Sequence, residues 1–263
     1  MTKINFSKFL RLSSFILIII FGFSQITKAK NVENLTIFSE NNMTYAMTKI
    51  VRNYAKKENI AISINFNSSS ELINDIDSGE PADIFISSHL DWVKNLSQKG
   101  LVDQYSSLNF AKDKLVLVIS KDNNKINLRE IKKNDNLNDV LQLISQKRIP
   151  LIVGSDYSSL GKYTKKIIND SKISNFQIFQ KAEEDKKSII DFVDNHQDYC
   201  AIVMRSEIKD DDKIVVLASI PPVDIDYRAL VIAGNNMENA RKFIKYLKGE
   251  EAQDILSKYG FVL

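Results

Sequence analysis

The stretch that decides the fold is AISINFNSSSELINDIDSGEPADIFISSHLDW, which runs from Ala61 to Trp92. Its first part, Ile62 to Phe66, alternates apolar and polar residues and is rich in β-branched side chains, a pattern typical of a strand with one buried face. After five polar residues, Asn67 to Glu71, apolar positions recur at helical spacing, at Leu72, Ile73 and Ile76. A strand therefore passes into a helix through a run of amide and hydroxyl side chains.

The same arrangement follows a second time. Ser78 to Pro81 predicts a turn, Ala82 to Ile86 a short buried strand, and Ser87 to His89 the start of another helix. In an open α/β sheet, ligands bind at such junctions, where strands reach their carboxyl ends. The stretch therefore predicts a mostly parallel α/β sheet with two serine-rich junctions at one edge.

The serines of the first junction have two interpretations. The first backbone N–H groups of a helix lack an internal partner and favour a bound anion, to which serine hydroxyls would add neutral donors. Alternatively, Ser68 only caps the helix, and Glu71 completes a capping box. The serines alone leave both interpretations open.

Residues 1–29 have the composition of an export signal. A basic start is followed by an apolar run at residues 15–23 and by the small-residue site Thr27-Lys28-Ala29. The apolar run is short for a bilayer span. We expect cleavage and a periplasmic mature protein, with an uncleaved membrane anchor as the alternative.

The mature chain is expected to be nearly neutral. The protein contains 36 Lys and Arg and 33 Asp and Glu, but four of the basic residues and none of the acidic ones lie within residues 1–29. The mature part therefore carries 32 basic and 33 acidic residues. This balance gives no reason to expect a nucleic-acid partner.

Residue types that carry metal and covalent chemistry are scarce. Cys200 is the only cysteine, and its apolar surroundings in the sequence favour an inert core thiol. His89 and His196 are the only histidines, and they have no metal-ligand spacing. Asp83 and Asp156 have no His, Cys or second carboxylate at a spacing that defines a mechanism, and Asp83 is expected to hydrogen-bond a neighbouring backbone. We expect no enzyme activity, no cofactor and no metal site.

The rest of the chain repeats the alternation of strands and helices. Leu115 to Ser120 is a strongly apolar strand, and the polar Ala111 to Lys114 before it is a candidate crossing between two lobes. Pro150 to Val153 predicts a strand that enters a third small-residue junction at residues 154–161. The chain ends in two predicted helices that stop at Tyr259-Gly260.

The length and this order predict two lobes. The 234 residues after the signal are enough for two separate cores, each a mostly parallel sheet flanked by helices. The expected boundaries are residues 30–112 for lobe 1, 113–223 for lobe 2 and 224–263 for a return to lobe 1. Lobes joined by more than one crossing form a hinged cleft.

The chain resembles a known family. Ser69 and the block GEPADIFIS at residues 79–87 are similar to the most regular stretch of the periplasmic molybdate-binding proteins of ABC importers, which are type II periplasmic binding proteins. The carboxyl terminus, with YLKG at residues 246–249 and YGF at residues 259–261, also resembles that family. The likeness extends from about Leu35 to Leu263.

The resemblance implies a Venus-flytrap binding protein that closes on a tetrahedral oxyanion, molybdate or tungstate, and presents it to an ABC permease in the inner membrane. Such proteins hold the anion with hydroxyls and backbone amides, and they are not enzymes. We expect a monomer. Two alternatives stay open: a binding protein for another small anion, and a sensor or interaction module of the envelope without a transport role.

Carried over by position, the resemblance assigns six ligand-binding residues. They are Asn42, Ser69, Ser88, Leu160, Lys186 and Met204. Ser69 would donate through its hydroxyl and its amide, and Leu160 through its backbone amide. Ser88 stands near the expected anion, where the family has a small residue.

The other three positions differ from the family pattern. Asn42 stands where the family has a ligand serine, and its amide can still donate. Met204 stands where the family usually has a tyrosine, so that a hydroxyl donor is lost. Lys186 would donate from its backbone, while its side chain either reaches the anion or points into solvent. In addition, Glu40 places a negative charge close to the expected anion.

Overall fold

The structure is a computed structural model that describes residues 34–131, 136–170, 177–180, 189–209, 213–220 and 225–263. Within these residues the strands are β1 (Asn34–Glu40), β2 (Ala61–Asn67), β3 (Ile84–Ser87), β4 (Leu108–Asp113), β5 (Leu115–Ser120), β6 (Leu151–Val153), β7 (Ile178–Gln180), β8 (Cys200–Met204), β9 (Ile214–Ser219) and β10 (Ile225–Val231). The helices are α1 (Thr44–Glu58), α2 (Ser69–Asp77), α3 (Leu90–Gln98), α4 (Leu137–Gln146), α5 (Ser159–Asp170), α6 (Ile189–Asn195), α7 (Met237–Tyr246) and α8 (Glu250–Lys258).

The strands form two five-stranded sheets. The first has the order β2-β1-β3-β10-β4, and the second has the order β7-β6-β8-β5-β9. In the first sheet β1 pairs parallel with β2 and β3, while β10 pairs antiparallel with β3 and β4. In the second, β6 pairs parallel with β7 and β8, while β5 pairs antiparallel with β8 and β9. The expected α/β class with two mostly parallel sheets is confirmed, and each sheet also contains one strand that runs against the other four.

The chain enters the second sheet at the polar segment that sequence patterning singled out. β4 ends at Asp113 and β5 begins at Leu115, so Lys114 alone joins the two sheets there. The rest of the segment belongs to β4, which the sequence analysis did not predict as a strand. Its polar residues are accommodated because β4 lies at a sheet edge, where one side needs no strand partner.

Apolar helix faces cover both sides of β1. Leu72 and Ile76 of α2 pack in one buried cluster with Phe38 of β1. On the opposite side Ile50 of α1 packs with Ile37 of β1, and both are fully buried. Burying such a side chain contributes about 1.5–3 kcal/mol, so this packing fixes where the carboxyl end of β1 lies.

In the part of the chain that the structure describes, no helix is both long enough and apolar enough to cross a membrane. Residues 1–29, where we expect the export signal, lie outside that part.

Candidate functional site

Serines from three strand-to-helix junctions lie together at the ends of the two sheets. Ser69 is the first residue of α2, Ser87 is the last residue of β3, and Ser88 follows it. Ser159 is the first residue of α5, which follows β6 of the second sheet. None of these four residues is more than 5% exposed. The predicted junctions therefore meet in the interior.

The hydrogen bonds of these serines meet on one carboxylate, that of Glu40 at the end of β1. Ser88 donates to Glu40 Oε2 from its hydroxyl at 2.6 Å and from its backbone amide at 3.1 Å. Ser87 and Ser159 donate from their hydroxyls to Glu40 Oε1 at 2.8 Å and 2.5 Å. The Ser69 hydroxyl donates to the same oxygen. Five donors thus surround a carboxylate that is only 4% exposed.

This cluster, which we call the serine cluster (Ser69, Ser87, Ser88 and Ser159), has the chemistry of an oxyanion site. Its four hydroxyls and one amide are neutral donors, and within the described residues no cation is paired with Glu40. Donors of this kind bind an ionised oxygen more strongly than a neutral one. The arrangement can therefore hold the oxygens of an anion without a positively charged side chain.

At the first junction the predicted cap is confirmed at Ser68, but no capping box forms, because the Ser68 amide donates to Asn67 Oδ1 at 2.9 Å and not to Glu71. Ser68 caps α2, because its hydroxyl accepts from the Glu71 amide at 3.3 Å. Ser69 comes next in the chain, and its hydroxyl lies 3.0 Å from that of Ser87 as well as on the Glu40 carboxylate. One serine thus satisfies the helix end while its neighbour contributes to the serine cluster.

The third junction is built around a close backbone approach. A Cβ at Gly161 would lie 1.8 Å from the carbonyl oxygen of Ser155, and one at Gly154 would lie 2.8 Å from the Gly161 nitrogen. The Ser158 hydroxyl closes the turn by accepting from the Gly161 amide at 3.0 Å and donating to the Ser155 carbonyl at 2.8 Å. Only glycine fits at residue 161, and the resulting tight turn places Ser159 at the start of α5.

Further contacts join α5 to the region of the first sheet around α3. The Tyr163 hydroxyl donates to the Ser88 carbonyl at 2.7 Å, and its ring lies 5.0 Å from that of His89. Lys162 Nζ lies 4.3 Å from the centre of the Trp92 ring. Burial lowers the pKa of His89, which favours a neutral imidazole in this contact. The two sheets are thus closed against each other over the serine cluster.

The residues that the resemblance assigned to the ligand are only partly brought together. Ser69 and Ser88 both lie on the Glu40 carboxylate. Leu160 follows Ser159 in α5 and is half-buried. Met204 is fully buried in the main apolar cluster, and its amide donates to the Glu207 carboxylate at 3.0 Å. Lys186 lies outside the described residues.

Asn42 contacts a different partner. Its Nδ2 donates to the Tyr227 hydroxyl at 2.5 Å, while its Oδ1 is buried without a hydrogen-bond partner among the described residues. The two ends of an amide exchange by a half-turn, and a hydroxyl can accept or donate. After that exchange Tyr227 would donate to Oδ1, and the NH₂ group would take the unpartnered position and be available as a donor.

Sequence reasoning missed Ser87, Ser159 and the role of Glu40 as an acceptor. Ser87 and Ser159 stand inside junctions that the small-residue pattern had marked, so their position in the chain was a usable signal. For Glu40 the sequence indicated only a charge near the expected anion.

Asp83 has the structural role expected for it. Its Oδ2 accepts from the Thr36 amide at 2.7 Å and from Asn236 Nδ2 at 3.1 Å. Within the described ranges, no group of three His, Cys, Asp or Glu residues is arranged to hold a metal ion.

Comparisons with known proteins agree with this architecture. A family model described as bacterial extracellular solute-binding protein matches residues 35–262. The molybdate-binding protein ModA of Haemophilus influenzae is 26% identical over 265 residues, covering 97% of this chain and 98% of that protein. ModA of Escherichia coli is 26% identical over 239 residues, covering 87% of this chain and 89% of that protein. In three dimensions, the periplasmic molybdate-binding protein of Azotobacter vinelandii aligns with a TM-score of 0.69 at 19% identity, covering 87% of this chain and 99% of that one.

Proposed function

We propose that this chain, which belongs to the bacterial extracellular solute-binding protein family, is the solute-binding component of an ABC importer. The proposed ligand is a tetrahedral oxyanion, molybdate or tungstate. The observation that carries the proposal is the serine cluster, which directs five neutral donors at one anionic group in the interior. The names of the two ModA relatives support molybdate as the first ligand to test.

The donor set suits an oxyanion that carries no proton at neutral pH. Hydroxyl and amide protons supply hydrogen bonds to each oxygen, and the low exposure of the site removes competing water. Ser159 comes from the second sheet and the other three serines from elements of the first, so a bound anion would join the two lobes. This is the arrangement that a closing cleft requires.

Three further residues complete the proposed site. Asn42 would supply its NH₂ group, which a half-turn of the side-chain amide frees from Tyr227. This group would take the place of the family's serine. Leu160 and Lys186 would supply backbone amides. Met204 supplies no donor, because its thioether has no proton to give. We propose a site with one donor fewer than its relatives have.

The cellular setting forms part of the proposal. Residues 1–29 would direct export, the mature monomer would act in the periplasm, and a permease in the inner membrane would receive the anion. Lobe 1 would comprise residues 30–112 and 224–263, and lobe 2 residues 113–223, and the division of the strands into two sheets supports this proposal to within one residue at Asp113. Mass spectrometry of the protein recovered from the periplasm tests the cleavage after Ala29.

Thermal unfolding in the presence of ligands tests the function. The protein beginning at Lys30 is heated with millimolar molybdate, tungstate, sulfate or phosphate. A ligand at about 1,000 times its Kd stabilises by roughly 4 kcal/mol, which corresponds to an increase in Tm of about 8–16 °C for a chain of this length. We expect such an increase with molybdate or tungstate. An unchanged Tm with all four anions, in the wild type and in the Glu40→Ala variant described below, would contradict the proposal.

Matched serine variants connect the ligand to the site. Ser88→Ala removes one charge-assisted hydrogen bond, so we expect a loss of about ten- to a hundredfold in affinity by isothermal titration calorimetry. Ser39→Ala is the control, since the Ser39 hydroxyl is buried in β1 and has no hydrogen-bond partner among the described residues. Equal affinities of the two variants would place the anion elsewhere.

A further inference from the structure

We infer that the carboxylate of Glu40 is an internal occupant of the oxyanion site, which holds the cleft closed without a ligand and which an oxyanion must displace. The inference rests on the proposed function for the identity of the external ligand. The closure itself does not depend on that ligand.

The serine cluster has few protons to donate. A serine hydroxyl has one proton to donate. The hydroxyls of Ser88 and Ser159 give theirs to Glu40, at 2.6 Å and 2.5 Å, and the Ser88 amide is directed at the same carboxylate. While Glu40 is in place, these donors are not available to another anion.

The charge of Glu40 also opposes the binding of a second anion. An oxyanion on the same donors would lie within a few ångströms of the Glu40 oxygens, and at that distance two negative charges in a site of low dielectric repel strongly. Within the described residues no ion pair joins a cation to Glu40, and Arg228, which is in register with Ser87, pairs with Asp226 at 3.8 Å instead. Oxyanion and carboxylate therefore exclude each other, and the site holds one or the other.

The Glu40 carboxylate is covalently attached to β1, next to the donors. Glu40 is held by strand pairing, since it is in register with Asn67 of β2. Its carboxylate is therefore always present near the donors at a high effective concentration. If the internal occupant fills the site 99% of the time, the apparent affinity for an external ligand falls about 100-fold.

The donors that hold Glu40 come from both lobes. The Ser69, Ser87 and Ser88 donors belong to elements of the first sheet, as Glu40 does. Ser159 begins α5, which follows β6 of the second sheet, and its bond to Glu40 therefore joins the two lobes. The carboxylate thus joins the two sheets in the same way as the bound anion of the proposed function would.

The single tryptophan reports directly on this closure. Trp92 is the only tryptophan in the protein, it belongs to α3, and Lys162 of α5 lies over its ring. Separation of the sheets would remove this cover and expose the indole to water. Tryptophan emission shifts to longer wavelength on such exposure, so it measures opening without any ligand.

The test compares Glu40→Ala with Glu80→Ala, which removes an exposed glutamate elsewhere in the first-sheet region. Without ligand, we expect the emission of Glu40→Ala at longer wavelength than that of the wild type, with Glu80→Ala unchanged. Titration with molybdate or tungstate should return the emission of Glu40→Ala to the wild-type wavelength. Its affinity should exceed that of the wild type by at least tenfold.

Ser159→Ala changes the other partner of the same contact. It keeps the test valid if Glu40→Ala folds poorly. It removes the bond that crosses between the sheets and leaves Glu40 on the remaining donors. We expect a shift of emission like that of Glu40→Ala but no gain in oxyanion affinity, because the internal occupant stays.

The outcomes separate the inference from the proposed function. If the two glutamate variants have the emission and oxyanion affinity of the wild type, the inference is overturned while the function stands. If the emission of Glu40→Ala shifts and no protein binds any of the four anions, the closure by Glu40 is upheld and the proposed function fails.

Discussion

The hydroxyl of Ser159 donates at 2.5 Å to the carboxylate of Glu40, across 119 residues of sequence and between the two sheets. Ser159 begins α5, and Glu40 ends β1. This contact therefore couples the third strand-to-helix junction to the carboxyl end of β1. We expect the stability of the closed form to depend on this contact.

We expect Ser159→Ala to lower the free energy of unfolding by about 1.5–3 kcal/mol, because a buried hydrogen bond to a charged group is lost. Urea denaturation measures this value. Ser155→Ala is the matched control, since the Ser155 hydroxyl lies in the same junction, is buried and has no hydrogen-bond partner within the described part of the chain. A similar loss in both variants would show that the Glu40 contact contributes nothing of its own.

We expect Gly161→Ala to destabilise the protein by about 1–3 kcal/mol and to shift the Trp92 emission. The added Cβ would overlap the Ser155 carbonyl oxygen at 1.8 Å, so the start of α5 must move, and Ser159 with it. Gly234→Ala is the control, because a Cβ there meets nothing within 4 Å. Wild-type emission and stability in Gly161→Ala would refute the tight-turn argument.

We expect the stability of the protein to depend on pH through Asp113. Its carboxylate accepts from the Ser206 hydroxyl and from the amides of Lys114 and Ser206, yet burial dominates and raises its pKa from 3.8 to about 6. Since the folded state favours the protonated form, ionisation of Asp113 costs stability. The stability that protonated Asp113 contributes at low pH is therefore lost as the pH rises from about 4 to about 6.

Asp113→Asn removes that cost, because a neutral amide can accept from the same backbone groups and donate to Ser206. The variant should be more stable than the wild type at pH 8 by at most about 3 kcal/mol, with the difference disappearing near pH 4. Urea denaturation between pH 4 and pH 8 measures it, with Asp254→Asn, an exposed substitution in α8, as the control. A difference independent of pH would rule out this explanation.

We expect Tyr163→Phe to cost about 1 kcal/mol of stability and to weaken oxyanion binding severalfold. Burial raises the pKa of Tyr163, so its hydroxyl remains a donor to the Ser88 carbonyl, and this bond orients the Ser88 donors. Tyr157→Phe is the control, because Tyr157 is 64% exposed in the same junction. Calorimetry and urea denaturation measure both effects, and a variant with wild-type affinity would show that Ser88 is oriented without Tyr163.

Much of the fold was predictable because local patterns carry it. The period-2 strand and the helical spacing after it place β2 and α2 within a few residues of their observed ends, and the apolar run at Leu115 predicts β5. β4 was missed, because a polar edge strand has little hydrophobic periodicity and is stabilised by pairing with β10. The antiparallel direction of β5 and β10 was also missed, because the direction of a strand depends on partners that are distant in the sequence.

The candidate site was predictable only in part. Small residues after strands marked all three junctions, and the family resemblance selected Ser69 and Ser88. No local pattern distinguishes the serine that caps a helix from the one that turns inward, because both stand at the same junction. Ser68 caps and Ser69 turns inward since the packing of α2 on β1 sets the rotation of the helix.

The sequence by itself determined which residue types lie at the junctions, the alternation of strands and helices, and the near neutrality of the mature chain, because these depend on composition and on neighbours a few positions apart. Only the tertiary structure decided which group the serines hold. Glu40 meets Ser159 through the pairing of β1 and the packing of α5, and contacts between such distant segments depend on the register and closure of whole sheets. The same serines that predict an oxyanion site from the sequence therefore hold, in the folded protein, a carboxylate of its own.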